Sequence, residues 1–392
     1  MTLVTALVEP GPALTAQQLV RYSRQLAMPG FDETAQRRLA AARVLVVGAG
    51  GLGSASIPYL ASAGVGTIGI IDTDVVELSN LHRQVSHGVD DLGADKVDSI
   101  SKTVAAIDPE TIVHAHKVWL DSSNAIELFA DYDLILDGSD NFATRYLVSD
   151  AAALADKPVV WGAILRYSGQ AGVAYTGHGP SYRDLFPVPP AASDALSCSV
   201  GGVLPTVCAV IGSIMATESI KLITGIGEPL IGRVTTFDAL SGRFREINYQ
   251  AIPDAAPVTE LIDYELFCGR GPAHGQEARG DSGGVVHSVS TTPLELERVL
   301  GEGQELQLID VREPFEARIA KITGAELIPL GTIVHALDNI RRDIPVVLYC
   351  HYDSRSRQAA GVLREQGLTN VQWLEGGIDA YALAVDPSLA RY

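Results

Sequence analysis

The chain has 392 residues, 47% of them hydrophobic and 19% charged, which is more than one hydrophobic core usually holds, so we expect at least two domains. Its 29 basic and 47 acidic residues give a formal net charge of -18. So negative a surface repels phosphate backbones, which excludes nucleic-acid binding as the main role.

Membrane proteins and disulfide-stapled proteins are two further classes that the sequence argues against. No apolar stretch approaches the roughly 20 residues that span a bilayer, and the N-terminal segment MTLVTALVEPGPALTAQQLV lacks a basic n-region and an adequate apolar h-region. We therefore expect a cytoplasmic protein with no membrane partner. The cysteines, Cys198, Cys208, Cys268 and Cys350, form no C-x-x-C pair and are too few and too scattered for a disulfide framework.

From Arg43 to about Trp161, short β-branched apolar runs alternate with helix-patterned segments. The predicted strands are RVLVV, TIGIID, TIVHAHKVW, DLILDG and KPVVWGA, and helices are predicted after Gly53, Gly93, Asp121 and Asn141. Such a series predicts an α/β fold with a parallel, doubly wound, Rossmann-like sheet. Further on, an apolar helix is predicted from about Val203 to Leu222, and RVTTFD and GRFREINY are predicted to form a hairpin.

Residues 251–284 hold a cluster of Pro, Gly and Ala, including PDAAP and GRGPAHGQEARGDSGG, which is typical of a linker. This divides the chain into a first domain over residues 1–250 and a smaller one over residues 285–392. The second domain has its own α/β pattern: helix PLELERVLG, strand LQLIDV, helix PFEARI, strand PVVLYC, helix SRQAAGVLREQG and strand NVQWLEG.

A glycine-rich turn follows the first predicted strand. RVLVV runs into GAGGLG, whose glycines are Gly48, Gly50, Gly51 and Gly53. We expect the next helix to open with Ser54, so that its N-terminal amides face a phosphate. The second strand ends at Asp72, where an acidic residue can bond a ribose hydroxyl. Taken alone, this pattern favours an NAD-dependent oxidoreductase.

The polar segment after Asp72 argues against a nicotinamide cofactor. DTDVVELSNLHRQ concentrates charged and amide groups behind a strand, and Lys96 follows. Several cations near the phosphates suit a triphosphate attacked at its α-phosphorus, whereas hydride transfer does not need them. Asp140, at the end of DLILDG, could hold magnesium through one carboxylate. All these groups follow parallel strands at their carboxyl ends, where open α/β sheets bind ligands.

Motifs spaced along most of the chain carry a specific resemblance. RYSRQ, GAGGLG, DTDVVELSNLHRQ, Lys96, DGSDN with Arg145, and SCSVGGVLP resemble, in this order, the motifs of the MoeB/ThiF family of ubiquitin-activating-like adenylyltransferases. With its C-terminal domain, the chain resembles the MoeZ-type fusion of such an adenylyltransferase with a rhodanese. The resemblance implies an enzyme that binds Mg-ATP, adenylates the C-terminal Gly-Gly carboxylate of a small ubiquitin-like sulfur carrier protein and releases pyrophosphate.

The resemblance also implies roles for individual residues. The nucleotide-binding set is Gly48, Gly50, Gly51, Gly53, Asp72, Asp74, Asn80, Arg83, Gln84, Lys96, Asp140 and Asn141. Within it, Asp72 would bind the ribose, Asp140 the magnesium, and Arg83 and Lys96 the triphosphate, where fixed cations stabilise charge that develops on pyrophosphate. No general base is required, because a carboxylate is ionised at neutral pH.

Two more matches concern a partner subunit and a thiol. Arg24 matches the family arginine that reaches into the other subunit's ATP site, which implies a homodimer. Cys198 matches the family cysteine that can form a thioester or disulfide with the carrier, and a buried packing cysteine is the alternative interpretation. Cys208, within the apolar helix, is interpreted as a core residue.

The sequence departs from the family at a structural zinc site. Many relatives hold zinc through two C-x-x-C pairs, but the matching positions here are Ser181 and Asp184 in GPSYRDLFP, and Glu265 and Cys268 in DYELFCG. A lone thiol cannot form a tetrahedral zinc site. We therefore expect no zinc, and a lobe held by apolar packing instead.

In the second domain, strand IPVVLY leads into CHYDSRS, and a helix begins at once. A thiolate at Cys350 would be stabilised there by turn amides and by the helix N-terminus. The spacing resembles the rhodanese active-site loop C-x-x-G-x-R-S, and LIDVREPFE, with Asp310 and Arg312, and WLEGGIDAY resemble other rhodanese segments. The resemblance implies that Cys350 accepts a sulfane sulfur as a persulfide and passes it to the adenylated carrier, with Arg355 as a further catalytic residue.

Asp353 occupies the usual glycine position of that loop. Because Asp tolerates positive φ, we expect the loop to keep its shape, but its carboxylate would oppose an anionic persulfide. An adenylyltransferase whose rhodanese domain is only an inactive binding module is therefore one alternative, and the NAD-dependent oxidoreductase is the other. The identity of the carrier and of the sulfane sulfur donor stays open.

Overall fold

The computed structural model describes residues 5–189, 202–268 and 290–391. The chain divides into two compact units, Met1–Gly275 and Gln276–Tyr392. The predicted domain limits at residues 250 and 285 stay predictions, since residues 269–284 of the predicted linker lie outside the described part of the chain. Of the residues just before them, Tyr264 and Cys268 are buried within the first unit.

The first unit is built on an eight-stranded sheet. Its strands are β1 (Arg43–Val47), β2 (Thr67–Ile71), β3 (Ile112–His116), β4 (Leu134–Asp137), β5 (Val159–Leu165), β6 (Ser168–Ala174), β7 (Arg233–Asp238) and β8 (Arg243–Asn248). The order across the sheet is β3-β2-β1-β4-β5-β6-β7-β8. The pairs from β3 to β5 are parallel and those from β5 to β8 antiparallel, which confirms the doubly wound sheet and the hairpin. Strand order reverses beside β1, so a ligand crevice is expected at the carboxyl ends of β1 and β4.

Helices cover both faces of this sheet. They are α1 (Ala16–Arg21), α2 (Ser23–Leu26), α3 (Glu33–Ala41), α4 (Gly51–Ala63), α5 (Lys96–Ile107), α6 (Ala125–Ala130), α7 (Phe142–Leu154), α8 (Tyr182–Leu185), α9 (Pro205–Thr224) and α10 (Tyr264–Phe267), with short 3-10 turns at Leu78–Asn80 and Val89–Asp91. The expected helix start at Ser54 is wrong, because α4 already begins at Gly51. Gly53, in its first turn, avoids a clash with the turn before the helix.

The core of the first unit has two halves, one on each face of the sheet. On one face, Ile57 of α4 packs with Ile211 and Met215 of α9. Gly212 allows these helices to pack closely, since a Cβ there would lie 2.6 Å from the Cβ of Ala55. On the other face, aromatic residues such as Tyr146 and Trp161 fill the space against α6 and α7.

Helix α9 corrects one expectation about apolar segments. By length and composition it is the one helix among the described residues that could cross a membrane, so the expectation that no apolar stretch reaches that length was wrong. Val207, Ile211 and Met215 are nevertheless fully buried against the sheet and α4. These contacts make α9 the core helix of the first unit.

The second unit has a five-stranded parallel sheet. Its strands are β9 (Ser290–Thr291), β10 (Gln307–Asp310), β11 (Glu326–Leu327), β12 (Val346–Tyr349) and β13 (Val371–Leu374), in the order β11-β10-β12-β13-β9. Its helices are α11 (Pro293–Gly301), α12 (Pro314–Ile319), α13 (Ser354–Glu365) and α14 (Gly377–Ala384), with a 3-10 segment at Leu330–Asn339. Every predicted helix and strand of this unit is present, and the central strand β12 ends directly before Cys350.

Candidate active sites

The glycine turn joins β1 to α4 and needs glycine at two of its positions. Gly48 has φ +93°, a left-handed conformation, and a Cβ there would lie 3.2 Å from the carbonyl oxygen of Gly138. At Gly53 a Cβ would lie 2.0 Å from the carbonyl oxygen of Gly48, so only glycine lets α4 start so close to the turn. The turn therefore brings the helix N-terminus directly to the carboxyl end of β1.

The N-terminus of α4 is open to a ligand. Its N-cap, Gly50, provides no side-chain hydrogen bond, and the nearest atom to a Cβ built there is Nε2 of Gln84 at 3.7 Å. Beside the turn, Oε1 of Gln84 and Oγ of Ser139 are buried and have no hydrogen-bond partner within the described residues. An uncapped helix with unsatisfied polar atoms around it fits a site built for a phosphate-bearing ligand.

Asp72 lies behind the turn and contacts it directly. One carboxylate oxygen accepts a hydrogen bond from the backbone N–H of Ala49 at 2.8 Å, and the other accepts from that of Asp74, also at 2.8 Å. Burial raises the pKa of Asp72 above its ordinary value. The residue expected to bind ribose thus also holds the glycine turn against β2.

The cations expected at the triphosphate lie on the segment between β2 and α5. Lys96 is the first residue of α5, is mostly buried, and places its Nζ 2.8 Å from the Asp74 carboxylate. Arg83 is half-buried and donates to the carbonyl of Ser79 at 3.1 Å. Asn80 is buried and closes the 3-10 turn through the backbone N–H of Glu77 at 3.3 Å. Arg83 forms no ion pair with another described residue, so its charge is available to a ligand.

The carboxyl end of β4 supplies the acidic side of the site. Asp140 is exposed and makes no hydrogen bond or ion pair with the described residues, so its carboxylate is accessible to a ligand. Asn141 instead caps α7 by accepting from the N–H of Thr144 at 2.8 Å. Asp137 was missed at the sequence level, although a charged residue at the end of an apolar strand signals it. It is buried and accepts from the N–H of Ser139 at 3.0 Å, and burial raises its pKa.

The RYSRQ motif divides its side chains between the core and the surface. The Tyr22 hydroxyl donates to Asp108 at 2.8 Å, and the Arg21 guanidinium lies 3.0 Å from the same carboxylate. Arg24 is exposed and pairs with none of the described residues.

A groove leads away from Asp140 along the antiparallel part of the sheet. Its cavity measures about 510 Å³ and has apolar walls that include Leu165 and Phe237. At its far side stand Arg243 and Arg245, exposed on one face of β8 and in no ion pair with another described residue. The groove could accept an extended chain whose end reaches Asp140.

In the second unit, the thiol lies at the start of a helix. Cys350 follows β12, is 1% exposed, and has its Sγ 3.5 Å from Oγ of Ser356. That hydroxyl donates to the carbonyl of Asp353 at 2.9 Å, which closes the loop. Helix α13 begins at Ser354, so the expected arrangement of strand, thiol and helix N-terminus is present.

Asp353 differs from the expectation in its backbone. Its φ is -167°, which is extended backbone that any residue adopts, so the tolerance of Asp for positive φ is not needed at this position. Its carboxylate lies 2.7 Å from the guanidinium of Arg357 in the first turn of α13. This ion pair offsets part of the charge that was expected to oppose a persulfide.

The remaining rhodanese-like residues build the frame around this loop. Arg355, expected to be catalytic, pairs in bidentate fashion with Glu316 of α12 at 2.6 and 2.7 Å. Asp310 and Arg312 are fully buried and pair at 2.6 Å, and Asp310 also accepts from the hydroxyl of Tyr349 at 3.0 Å. These contacts hold the strand that precedes Cys350.

The segment WLEGGIDAY contributes a close backbone contact. Gly377 has φ +61°, and a Cβ there would lie 2.2 Å from the carbonyl oxygen of Tyr352. Just after it, the N–H of Ile378 donates to the carbonyl of Cys350 at 2.9 Å. Glycine is required here because α14 begins against the thiol loop.

Comparison with known proteins assigns a family to each unit. The ThiF family model matches residues 22–256, and the rhodanese-like domain model matches residues 292–384. The chain is 47% identical over 397 residues to the probable adenylyltransferase/sulfurtransferase MoeZ of Mycobacterium tuberculosis, covering 100% of both chains. The chain belongs to the ThiF family and carries a rhodanese-like domain.

Two other comparisons extend this result. The chain is 38% identical to the adenylyltransferase and sulfurtransferase MOCS3 of Drosophila yakuba, covering 99% of this chain and 89% of that protein. A crystal structure of Escherichia coli MccB with MccA-N7isoASN matches with a TM-score of 0.56 at 21% identity, over 61% of this chain and 74% of that one, and at this identity the likeness concerns the fold alone. The protein is an adenylyltransferase and sulfurtransferase enzyme.

The positions of the family zinc site do not fit zinc in this ThiF-family chain. Ser181 and Asp184 cap α8, and the second oxygen of Asp184 accepts from the N–H of Ile252 at 2.7 Å. Cys268 is buried and is the one thiol at these positions, so the four ligands that zinc takes are not supplied. No group of three His, Cys, Asp or Glu side chains suited to a metal occurs in the described ranges.

The lobe around these positions is held by more than the apolar packing that was expected. Arg183 pairs in bidentate fashion with Asp150 at 2.8 and 2.7 Å, and the hydroxyl of Tyr264 donates to Asp150 at 2.6 Å. The guanidinium also lies over the rings of Tyr146 and Phe267, 5.2 and 5.0 Å from their centroids. A buried ion pair within an aromatic cluster therefore joins α7, α8 and α10.

The two other cysteines have different outcomes. Cys198, expected near the carrier, lies outside the described residues, so its role stays a prediction. Cys208 is buried in α9, as expected of a core residue. Its Sγ would lie 3.0 Å from a Cβ at Gly51, so it packs against the first residue of α4.

Proposed function

We propose that this enzyme adenylates the C-terminal Gly-Gly carboxylate of a small ubiquitin-like sulfur carrier with Mg-ATP, and then converts that terminus to a thiocarboxylate through a persulfide on Cys350. The observation that carries the first step is the placement of the uncapped start of α4, the Lys96 ammonium and the unpaired Asp140 carboxylate along the carboxyl edge of one parallel sheet. Phosphates, cations and a metal ligand meet at such an edge.

Adenylation needs an electrostatic site and little proton transfer. The ionised carrier carboxylate attacks the α-phosphorus of ATP, an acyl-adenylate forms, and pyrophosphate leaves. Lys96 and Arg83 would stabilise the charge that develops on the leaving group. Asp140 would hold magnesium, which supplies further neutralisation of the phosphates, in keeping with the preference of that ion for a carboxylate together with substrate phosphates.

The sulfur step uses the second unit. The Cys350 thiolate takes a sulfur atom from a sulfane donor and becomes a persulfide. Attack of its terminal sulfur on the acyl-adenylate displaces AMP and leaves an acyl disulfide on Cys350. A reductant thiol then attacks the Cys350 sulfur, so the thiocarboxylate leaves and a mixed disulfide forms on Cys350. A second thiol resolves this mixed disulfide, and the two thiols, which end as a disulfide, supply the two electrons that the balance requires.

The groove beside Asp140 supports an extended, small-residue tail as the substrate. Its volume of about 510 Å³ admits several residues of narrow chain, and two terminal glycines would pass its apolar walls without steric conflict. Arg243 and Arg245 at its rim would attract a carrier with an acidic surface. Charges in this position change association rates more than final affinity.

A homodimer is supported by two surface features. Arg24 has no ion-pair partner within the described part of its own chain. Around α2 and the segment after β2, large apolar side chains are exposed, with Leu78 at 72%, Val85 at 71% and Met28 at 48%. Exposed apolar side chains and an arginine without an ion-pair partner are both features that an interface completing a neighbouring site requires.

The decisive experiment follows the product. A Gly-Gly-terminated carrier is incubated with the enzyme, Mg-ATP, a sulfane sulfur donor and a thiol reductant, and its intact mass is measured. We expect an ATP-dependent replacement of one carboxylate oxygen by sulfur. An adenylated carrier that never gains sulfur would show that the first unit is active and that the second is only a binding module. Protection against thermal unfolding by NAD and not by Mg-ATP would contradict the proposal as a whole.

A further inference from the structure

The buried side chain of His87 makes hydrogen bonds to two parts of the nucleotide site, the glycine turn and helix α5. It is 6% exposed, its Nε2 lies 3.2 Å from the carbonyl oxygen of Ala49, and its Nδ1 lies 2.8 Å from Oγ of Ser99. A carbonyl only accepts, so Nε2 carries the proton and Nδ1 accepts from the Ser99 hydroxyl. Burial lowers the pKa of His87, which favours this neutral form of the ring.

Hydrogen bonds to Asp72 and His87 fix the two peptide units that flank Ala49 in the glycine turn. The N–H of Ala49 donates to Asp72 at 2.8 Å while its carbonyl accepts from His87. The peptide bond between Ala49 and Gly50 is trans, so the N–H of Gly50 points opposite to the carbonyl of Ala49. That carbonyl faces the buried imidazole, and the N–H of Gly50 therefore faces away from it. No acceptor for this N–H occurs among the described residues.

We propose that His87 is a positioning residue that orients the Gly50 N–H toward a phosphate oxygen of the nucleotide. Glycine at position 50 gives the peptide freedom to rotate. Without the His87 donor, the Ala49–Gly50 peptide can turn its carbonyl oxygen, the negative end of the peptide dipole, toward the phosphates. His87 prevents this rotation, because its hydrogen bond keeps the carbonyl oxygen of Ala49 turned toward the buried imidazole. Through Ser99 it also ties the turn to α5, the helix that begins with Lys96.

This inference rests on the proposed function, since it concerns how that site binds ATP. Two substitutions at position 87 separate the loss of the hydrogen-bond donor from the change in side-chain shape. His87→Leu removes the donor, whereas His87→Gln keeps a side-chain N–H at a similar reach. Binding of ATP, AMP and adenosine to the full-length protein is measured by titration calorimetry, with the thermal midpoint of each variant recorded. Adenosine has no phosphate and so reports on the rest of the pocket.

We expect His87→Leu to weaken ATP and AMP about tenfold or more, the loss of one charge-assisted hydrogen bond, and to leave adenosine within about twofold. His87→Gln should regain most of the ATP affinity. As a matched control, Thr103→Val removes the hydrogen bond to the carbonyl of Ser86 in the same segment, 2.7 Å in length, and does not touch Ala49. It should lower the thermal midpoint without changing ATP affinity.

Three results would overturn the inference. One is wild-type-like ATP affinity in a folded His87→Leu variant, another is an equal loss for ATP and adenosine, and the third is a His87→Gln variant as weak as His87→Leu. If His87→Leu does not fold, His87→Asn replaces it, because the side chain of Asn is too short to reach Ala49. His87→Asn should then weaken ATP binding, whereas His87→Gln should retain it. A wild-type protein that binds no Mg-ATP would contradict the proposed function itself.

Discussion

Arg355 and Glu316 form a bidentate ion pair at 2.6 and 2.7 Å that ties the thiol loop to α12, with only 11% and 6% of their side chains exposed. A pair so buried is costly to break from one side, because the remaining charge stays buried without its partner. Arg355 was expected to be catalytic, and this geometry assigns it at least a role in holding the loop.

We expect Arg355→Met to destabilise the second unit by about 3–5 kcal/mol and to slow persulfide formation on Cys350. The double variant Arg355→Met/Glu316→Leu should regain most of the stability, since no buried charge is left unpaired. Thermal unfolding and thiol labelling measure the two effects. Persulfide formation that recovers together with stability would show that Arg355 acts through the fold alone.

The nucleotide assignment predicts that Asp140→Ala and Arg83→Ala each reduce carrier-dependent exchange of pyrophosphate into ATP by at least about a hundredfold, because each removes a group that acts on the triphosphate or its metal. Asp140 is exposed, Arg83 is half-buried and neither forms an ion pair with another described residue, so the thermal midpoint should change little. Asp131→Ala, at the opposite end of β4, serves as a control and should exchange normally. Normal exchange in either test variant would remove that residue from the site.

The homodimer predicts complementation between two inactive variants. Arg24→Ala and Asp140→Ala should each lack exchange activity alone and regain part of it when mixed, because one site of a mixed dimer keeps both its own pocket and the neighbouring Arg24. Pyrophosphate exchange is measured before and after subunit mixing, which is verified by tagged copies. No recovery despite verified mixing would place Arg24 in its own subunit's site or outside catalysis.

Cys350→Ala should separate the two chemistries. Adenylation needs only the first unit and the carrier tail, so pyrophosphate exchange should stay near the wild-type rate. Conversion of the carrier to a thiocarboxylate should stop when the sulfur must pass through the thiol, provided that free sulfide is excluded. Conversion at the normal rate would refute the role of Cys350 and direct attention to Cys198.

The ion pair beside that thiol predicts opposite effects of its two members. Asp353→Gly removes an anion and releases the Arg357 cation, and should speed persulfide formation several-fold. Arg357→Ala exposes the Asp353 carboxylate to the persulfide and should slow it by a similar factor. The double variant should lie between the single ones, and pyrophosphate exchange should not change. Equal rates in all three would show that charge at position 353 does not reach the sulfur.

The contacts of Arg183 with Asp150 predict a lobe whose stability does not depend on a metal. Purified protein should contain less than one zinc per chain, and a chelator should leave its thermal midpoint unchanged. Arg183→Met should lower stability by about 3 kcal/mol or more, because Asp150 stays buried without a counter-charge. Tightly bound zinc at one per chain would show that other ligands replace the missing cysteines.

The sequence alone determined the elements that depend on local patterns. β-branched runs identified β1 to β5, the turn residues between RVTTFD and GRFREINY identified the hairpin, and CHYDSRS located the thiol loop. Spaced motifs also indicated which groups follow the carboxyl ends of the strands. Such features are visible because strand periodicity, turn chemistry and motif spacing involve residues close together in the chain.

Only the tertiary structure decided which of these groups meet. Glu316 reaches Arg355 across 39 positions of sequence, and His87 reaches Ala49 across 38, through packing that no local pattern encodes. The start of α4 at Gly51 belongs to the same class, since glycine has little helix preference and the thiol of Cys208 packs against that position from a distant helix. Which side chains come into contact depends on how whole helices and strands pack against one another, and local sequence patterns do not determine that packing.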